Sequence, residues 1–163
     1  MTLSFDPIAE ARRNWEAHDW GAVDAMAAAT SITRAHQILL KRIDAALEPF
    51  GLVFSRFEAL ALLSFTRTGA MPLGRMGERL QVHPTSVTNT IDRLETEGLV
   101  VRIPHPTDRR TTLAEITPAG RERAAEAAAA LADSKFGLDG MRTGDLAAVT
   151  DGLRSLRAVA GDF

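Results

Sequence analysis

A mostly α-helical fold carrying one small β-hairpin wing is what this 163-residue sequence predicts. Three observations predict it. Apolar residues recur at helical spacing over most of the chain, one pair of β-rich runs flanks a polar turn, and proline or glycine marks the changes of period. The length suffices to bury a core without cross-links. Hydrophobic residues make up 45% and charged residues 25%, which excludes a disordered or fibrous chain. Cysteine is absent, so disulfides, thiol catalysis, thiolate sensing of peroxide and Cys-based zinc sites are excluded as well.

The elements follow in order. Asp6-Pro7 reads as an N-cap with proline at the first helical position, and Ile8, Ala11 and Trp15 share a face. A longer helix is expected from about Trp20 to Glu48, with Met26, Ile32, Leu39, Ile43 and Leu47 as its stripe and Pro49 and Gly51 as its stop. Ser55-Arg56-Phe57-Glu58 has capping-box spacing and opens a helix to about Phe65, burying Phe57, Leu60 and Leu63. Thr68-Gly69 breaks it. Leu73, Met76 and Leu80 define a short helix, and Val82-His83-Pro84 a turn. In the helix that follows, Val87, Ile91 and Leu94 lie on one face and Gly98 is the C-cap. Leu99 to Ile103 and Thr111 to Ile116 form a hairpin around His105-Pro106-Thr107-Asp108-Arg109-Arg110. Thr117-Pro118 caps an alanine-rich helix to about Lys135. Gly137 and Gly140 interrupt before a last helix, Gly144 to Ala160, with Leu146, Val149, Leu153 and Leu156 on one side.

A helix–turn–helix followed directly by a two-stranded hairpin is a winged-helix unit. The flanking helices are too many and too amphipathic for one small winged domain, which points to packing against the same helices of a second subunit. The expected organisation is an N-terminal extension with dimerisation helices over 1–50, a winged DNA-binding lobe over 51–117 and C-terminal dimerisation helices over 118–163.

Net charge is −2, which speaks against nonspecific coating of nucleic acid. The charge is nevertheless uneven: residues 49–112 hold 8 basic and 6 acidic side chains, whereas 1–48 hold 5 and 7 and 117–163 hold 6 and 7. No nucleophile motif, phosphate loop or paired carboxylates suggest an enzyme, and Gly69, Gly74 and Gly77 lie around a short strand and helix, not in a phosphate fingerprint. The four histidines lack ligand spacing, so no metal or cofactor is expected; His83 suits a helix cap, His105 the wing and His36 a pocket or interface. With no signal peptide or apolar run of membrane length, a cytoplasmic location without membrane contact is expected.

On a helical wheel Thr85, Ser86, Asn89 and Arg93 point away from Val87, Ile91 and Leu94. Short polar side chains let a helix sink into a major groove about 12 Å wide, where Asn pairs with adenine; Arg93 suits a phosphate. Thr88 joins this DNA-facing set. Asp108 and Arg110, two apart, are expected on the same side of the wing, the carboxylate orienting the guanidinium for a narrow minor groove, with Arg109 toward a phosphate. The rival reading is a winged-helix protein-interaction module without sequence-specific DNA binding; the polar reading face and Arg110 oppose it.

The run from Leu73 to Gly120, with Val87–Val100 in the second helix, Asp108-Arg109-Arg110 in the wing and Leu113 to Gly120 leading out, resembles the MarR family of bacterial transcriptional regulators. The flanking helices match the family's order. The resemblance implies a homodimer on a pseudo-palindromic, double-stranded operator, most often a repressor released by a small aromatic or anionic effector bound between the dimer helices and the DNA-binding lobe. Asp6–Trp15 resembles the extra helix of a urate-responsive branch. There Trp15 or Trp20 would supply the tryptophan and Glu58 stands in the place of an aspartate, but Thr90 stands in the place of the arginine that would meet the anion, so the extension is better read as dimer surface. An effector is expected near Trp20, His36, Phe57 and Glu58; the alternative is that these aromatics are simply core.

Overall fold

The computed structural model describes residues 3–108 and 110–163. Among the described residues seven α-helices and three strands follow in the order α1 (Pro7–Ala17), α2 (Val23–Leu47), α3 (Phe54–Ser64), β1 (Ala70–Pro72), α4 (Leu73–Leu80), α5 (Pro84–Thr96), β2 (Val100–Pro104), β3 (Thr112–Ile116), α6 (Pro118–Asp133) and α7 (Thr143–Val159). The mostly helical fold with a β wing is thus the observed one. The short strand β1 joins the hairpin, so the sheet is antiparallel and three-stranded in the order β1-β3-β2, with Met71 and Arg102 both opposite Ala114.

One hydrophobic core runs from Ile43 to Leu131. Leu47 of α2, Leu60 and Leu63 of α3, Met76 of α4, Ile91 and Leu94 of α5, Val100 of β2 and Leu131 of α6 are fully buried in it. It extends past residues 51–117 in both directions because the last turns of α2 and most of α6 close over the lobe. Helices α1 and α7 bury no residue, and α2 buries only Ile43 and Leu47. The chain therefore has a packed head and helical arms. At the first arm the Trp15 indole donates to the Gly21 carbonyl at 2.8 Å and meets Trp20 edge to face at 4.9 Å, closing the α1–α2 corner.

One local expectation needs correction. Helix α3 begins at Phe54, ahead of the Ser55–Glu58 capping box, and its cap residue Val53 has no side-chain acceptor. The Phe54 amide instead donates to Asp44 Oδ1 at 2.8 Å. A carboxylate from α2 thus caps α3 and favours its positive end, a long-range solution that local spacing does not reveal.

The exit from the wing is tightly built. Thr117 accepts the Gly120 amide at 3.0 Å as the N-cap of α6, and its own amide donates to the Leu99 carbonyl at 3.0 Å. A Cβ on Gly120 would lie 2.1 Å from that same Leu99 oxygen. Gly120→Ala is therefore expected to destabilise the protein by about 2 kcal/mol through overpacking against backbone. Gly74→Ala, where a Cβ meets nothing within 4 Å, is expected to be neutral or to stabilise by up to about 1 kcal/mol. Urea unfolding of the two variants checks the opposite signs.

Candidate nucleic-acid interface

Helix α4, its turn and helix α5 form the helix–turn–helix. Gln81 ends α4 in the left-handed region (φ 54°), and the Val82 amide returns to the Gly77 carbonyl at 3.1 Å. His83 caps α5, its Nδ1 accepting the Thr85 amide at 3.2 Å, and Pro84 takes the first helical position. At the other end Gly98 (φ 71°) donates to the Glu95 carbonyl at 3.0 Å and Leu99 to the Leu94 carbonyl at 2.9 Å. These two bonds make a Schellman motif, which fixes where α5 stops and the wing starts.

Between these caps Val87, Ile91 and Leu94 are buried and Thr85, Ser86, Thr88, Asn89 and Arg93 are exposed. The structure thus places all five expected residues on the solvent side of α5. The Thr88 hydroxyl donates to the Pro84 carbonyl at 3.2 Å, leaving its methyl and oxygen lone pairs outward. Arg109 lies outside the described residues. Asp108 and Arg110 sit at the wing tip, but their relation differs from the expected one. Asp108 Oδ1 accepts the backbone amide of Arg110 at 3.0 Å, and Oδ2 accepts the Thr111 hydroxyl at 2.6 Å. The carboxylate fixes the loop rather than the guanidinium. His105 completes the tip, its Nδ1 accepting the Asp108 amide at 3.1 Å.

The sequence reading missed the groups that hold α5 from both sides. Arg102 of β2 reaches Asp92 at 2.6 Å and also pairs with Glu95, whose other oxygen accepts the Arg102 amide at 3.1 Å. Burial opposes the Arg102 charge, but the hydrogen bonds and charges of Asp92 and Glu95 outweigh it and raise its pKa. Arg56 of α3 meets Glu97 at 2.5 Å. The acidic spacing Asp92–Glu95 was visible in the sequence, but the strand that meets it depends on the tilt of the hairpin.

One chain does not gather the four residues expected near an effector. Phe57 is 8% exposed and packed in the core, whereas Trp20 is 63% exposed at the α1–α2 corner. His36 is exposed in mid-α2, about 20 Å along the helix from Val23 at its start. Glu58 is half-buried on α3, and burial raises its carboxyl above the ordinary range. No helix among the described residues is long and apolar enough to cross a membrane.

The bonds from Thr111 and from the Arg110 amide hold the exposed Asp108 carboxyl below the ordinary aspartate range. Because that value is depressed by folded contacts, the order they give the tip is present at neutral pH and lost as pH falls through it. In an NMR titration the Asp108 carboxyl is expected to titrate below ordinary aspartates, with the Arg110 amide shift following the same midpoint.

Comparison with known proteins agrees with this architecture. The MarR family model matches residues 54–112. The regulator MhqR of Bacillus subtilis is 33% identical over 89 residues, 55% of this chain and 60% of MhqR; the matched part thus spans about three fifths of that curated relative. A variant of MarR from E. coli complexed with operator DNA shares the fold with a TM-score of 0.71 at 18% identity, over 78% of this chain and 91% of that one. The crystal structure of Sco5413, a MarR family transcriptional regulator from Streptomyces coelicolor, matches with a TM-score of 0.81 and 49% identity, covering 87% of this chain and 99% of Sco5413. At that identity and with nearly the whole of Sco5413 covered, the chain belongs to the MarR family of transcriptional regulators.

Proposed function

We propose that this protein is a homodimeric repressor that reads a pseudo-palindromic operator with two α5 helices and two wing tips. The observation that carries the reading is the exposed, short-chained polar face of α5, backed by a packed core and followed directly by an arginine-tipped wing. Thr85, Ser86, Thr88 and Asn89 meet base edges in the major groove and Arg93 a phosphate, while Arg110 enters the minor groove. Arg109 is assigned to a phosphate. Asp108 contributes by holding the tip.

The arms support the dimer. Val149, Leu153, Leu156 and Val159 of α7 are exposed, Val159 at 90%, as are Ile32 and Ile38 of α2. A solvated helix seldom leaves so many apolar side chains in water unless a partner covers them. Two-fold pairing sets the α5 helices about one DNA turn apart, roughly 34 Å. A small aromatic or anionic effector that shifts this spacing releases the operator. We assign its place to the neighbourhood of Trp20, His36, Phe57 and Glu58, of which Trp20 and His36 are exposed, Glu58 is half-buried and Phe57 is packed in the core.

Arg110→Ala is expected to weaken operator binding at least tenfold without changing the sedimentation of the dimer. Asn89→Ala is expected to cost more on the operator than on random duplex, by about 1–3 kcal/mol of discrimination. Binding is expected to fall steeply with salt. Fluorescence titrations on both duplexes at several salt concentrations test all three, and a monomer with no duplex preference refutes the reading.

A further inference from the structure

The clamp on α5 has a use beyond neutralising charge. With about 100° between successive residues, Asp92 and Glu95 lie to one side of the face centred near Asn89, and Glu97 to the other. Arg102 grips the first flank from β2, and Arg56 the second from α3. The helix is thus held against rotation about its own axis. The flank held by Arg102 is the one that carries the wing.

Strand β2 is the edge of its sheet, so alternate backbone amides face away from β3. The Arg102 amide is one of these, and it donates to Glu95. Backbone and side chain of a single residue therefore both engage α5, through two carboxylates one helical turn apart. A planar guanidinium that makes two such bonds fixes direction as well as distance. Isolated exposed pairs stabilise little, so the consequence of this arrangement is angular: β2 is kept at one tilt relative to α5.

We propose that Arg102 is a positioning residue for DNA recognition, which by gripping Asp92 and Glu95 sets the angle at which the wing tip stands to the reading helix, so that Arg110 and Asn89 engage one half-site together. This rests on the DNA-binding reading above. It also makes a counterintuitive demand, because Asp92 and Glu95 are negative charges beside the proposed DNA face. Removing them would strengthen binding if charge alone mattered, and alanine at both positions would favour the helix.

The test uses the full-length chain and a duplex that the wild-type protein selects from a random library. The double variant Asp92→Ala, Glu95→Ala is expected to bind that duplex about five- to tenfold more weakly, with the dimer intact by sedimentation. Arg102→Lys, which keeps the charge but not the planar grip, is expected to weaken binding less than Arg102→Ala. In the Arg110→Ala background the Arg102→Ala change is expected to cost less than twofold, because the tip then has nothing to place; a merely structural loss would cost the same in both backgrounds. Equal or tighter binding by the double alanine variant, or full additivity with Arg110→Ala, overturns the proposal while leaving DNA binding intact. Failure of the wild-type protein to select any duplex overturns the DNA-binding reading itself.

Discussion

The architecture turns on a single backbone oxygen, the carbonyl of Leu99. It accepts the Thr117 amide at 3.0 Å and lies within 3.1 Å of the Thr117 hydroxyl, which also reaches the Gly98 carbonyl at 2.9 Å. The same oxygen leaves no room for a side chain on Gly120. At this point the end of α5, both ends of the wing and the start of α6 are fastened together. A buried carbonyl with no partner would cost about 1–3 kcal/mol; here the amide and hydroxyl of Thr117 meet it, and the cost of leaving it unpaired holds four segments in register. The Thr-Pro-x-Gly run after β3 is thus explained by chemistry: a hydroxyl that caps, a proline that starts a helix and a glycine that permits contact.

Much of this was legible in the sequence because the signals are local. Periodicity and punctuation marked every helix, and the apolar spacing of Val87, Ile91 and Leu94 correctly told the inner face of α5 from the outer. Gly98 announced its left-handed turn. Failures came where a distant group decides the matter. The cap of α3 is Asp44, ten residues upstream, and not the nearby Ser55. The wing tip differed for a local reason: its tight loop brings the Arg110 amide and the Thr111 hydroxyl to the Asp108 carboxylate ahead of the long, flexible guanidinium. The grip of Arg102 on Asp92 and Glu95 depends on a hairpin tilt that no residue pattern encodes. Trp20 and Phe57 looked alike as aromatics, yet one faces solvent and the other the core.

Head and arms also differ in how they use their charges. Around α5 the acidic side chains Asp92, Glu95 and Glu97 are all matched by arginines of neighbouring elements. An overall charge of −2 is therefore compatible with a head in which the exposed polar face of α5 is not dominated by carboxylates. The arms carry an exposed apolar surface instead, and α1 and α2 support one another at the Trp15–Trp20 corner and along their shared contact. Stability is thus concentrated between Ile43 and Leu131.

Between α6 and α7, Lys135, Phe136 and Gly137 take successive left-handed conformations at φ 48°, 54° and 72°, two of them without the freedom of glycine. Each non-glycine residue there costs about 1–2 kcal/mol. Arg42 steadies the bend by donating to the Gly137 carbonyl at 2.9 Å. This knuckle, with Gly140 (φ 87°) a few residues on, turns the chain between α6 and α7. Replacing one of its side chains would re-aim that helix while leaving the exposed face of α5 untouched: the direction of the C-terminal arm and the make-up of the helix–turn–helix are separately adjustable in this chain.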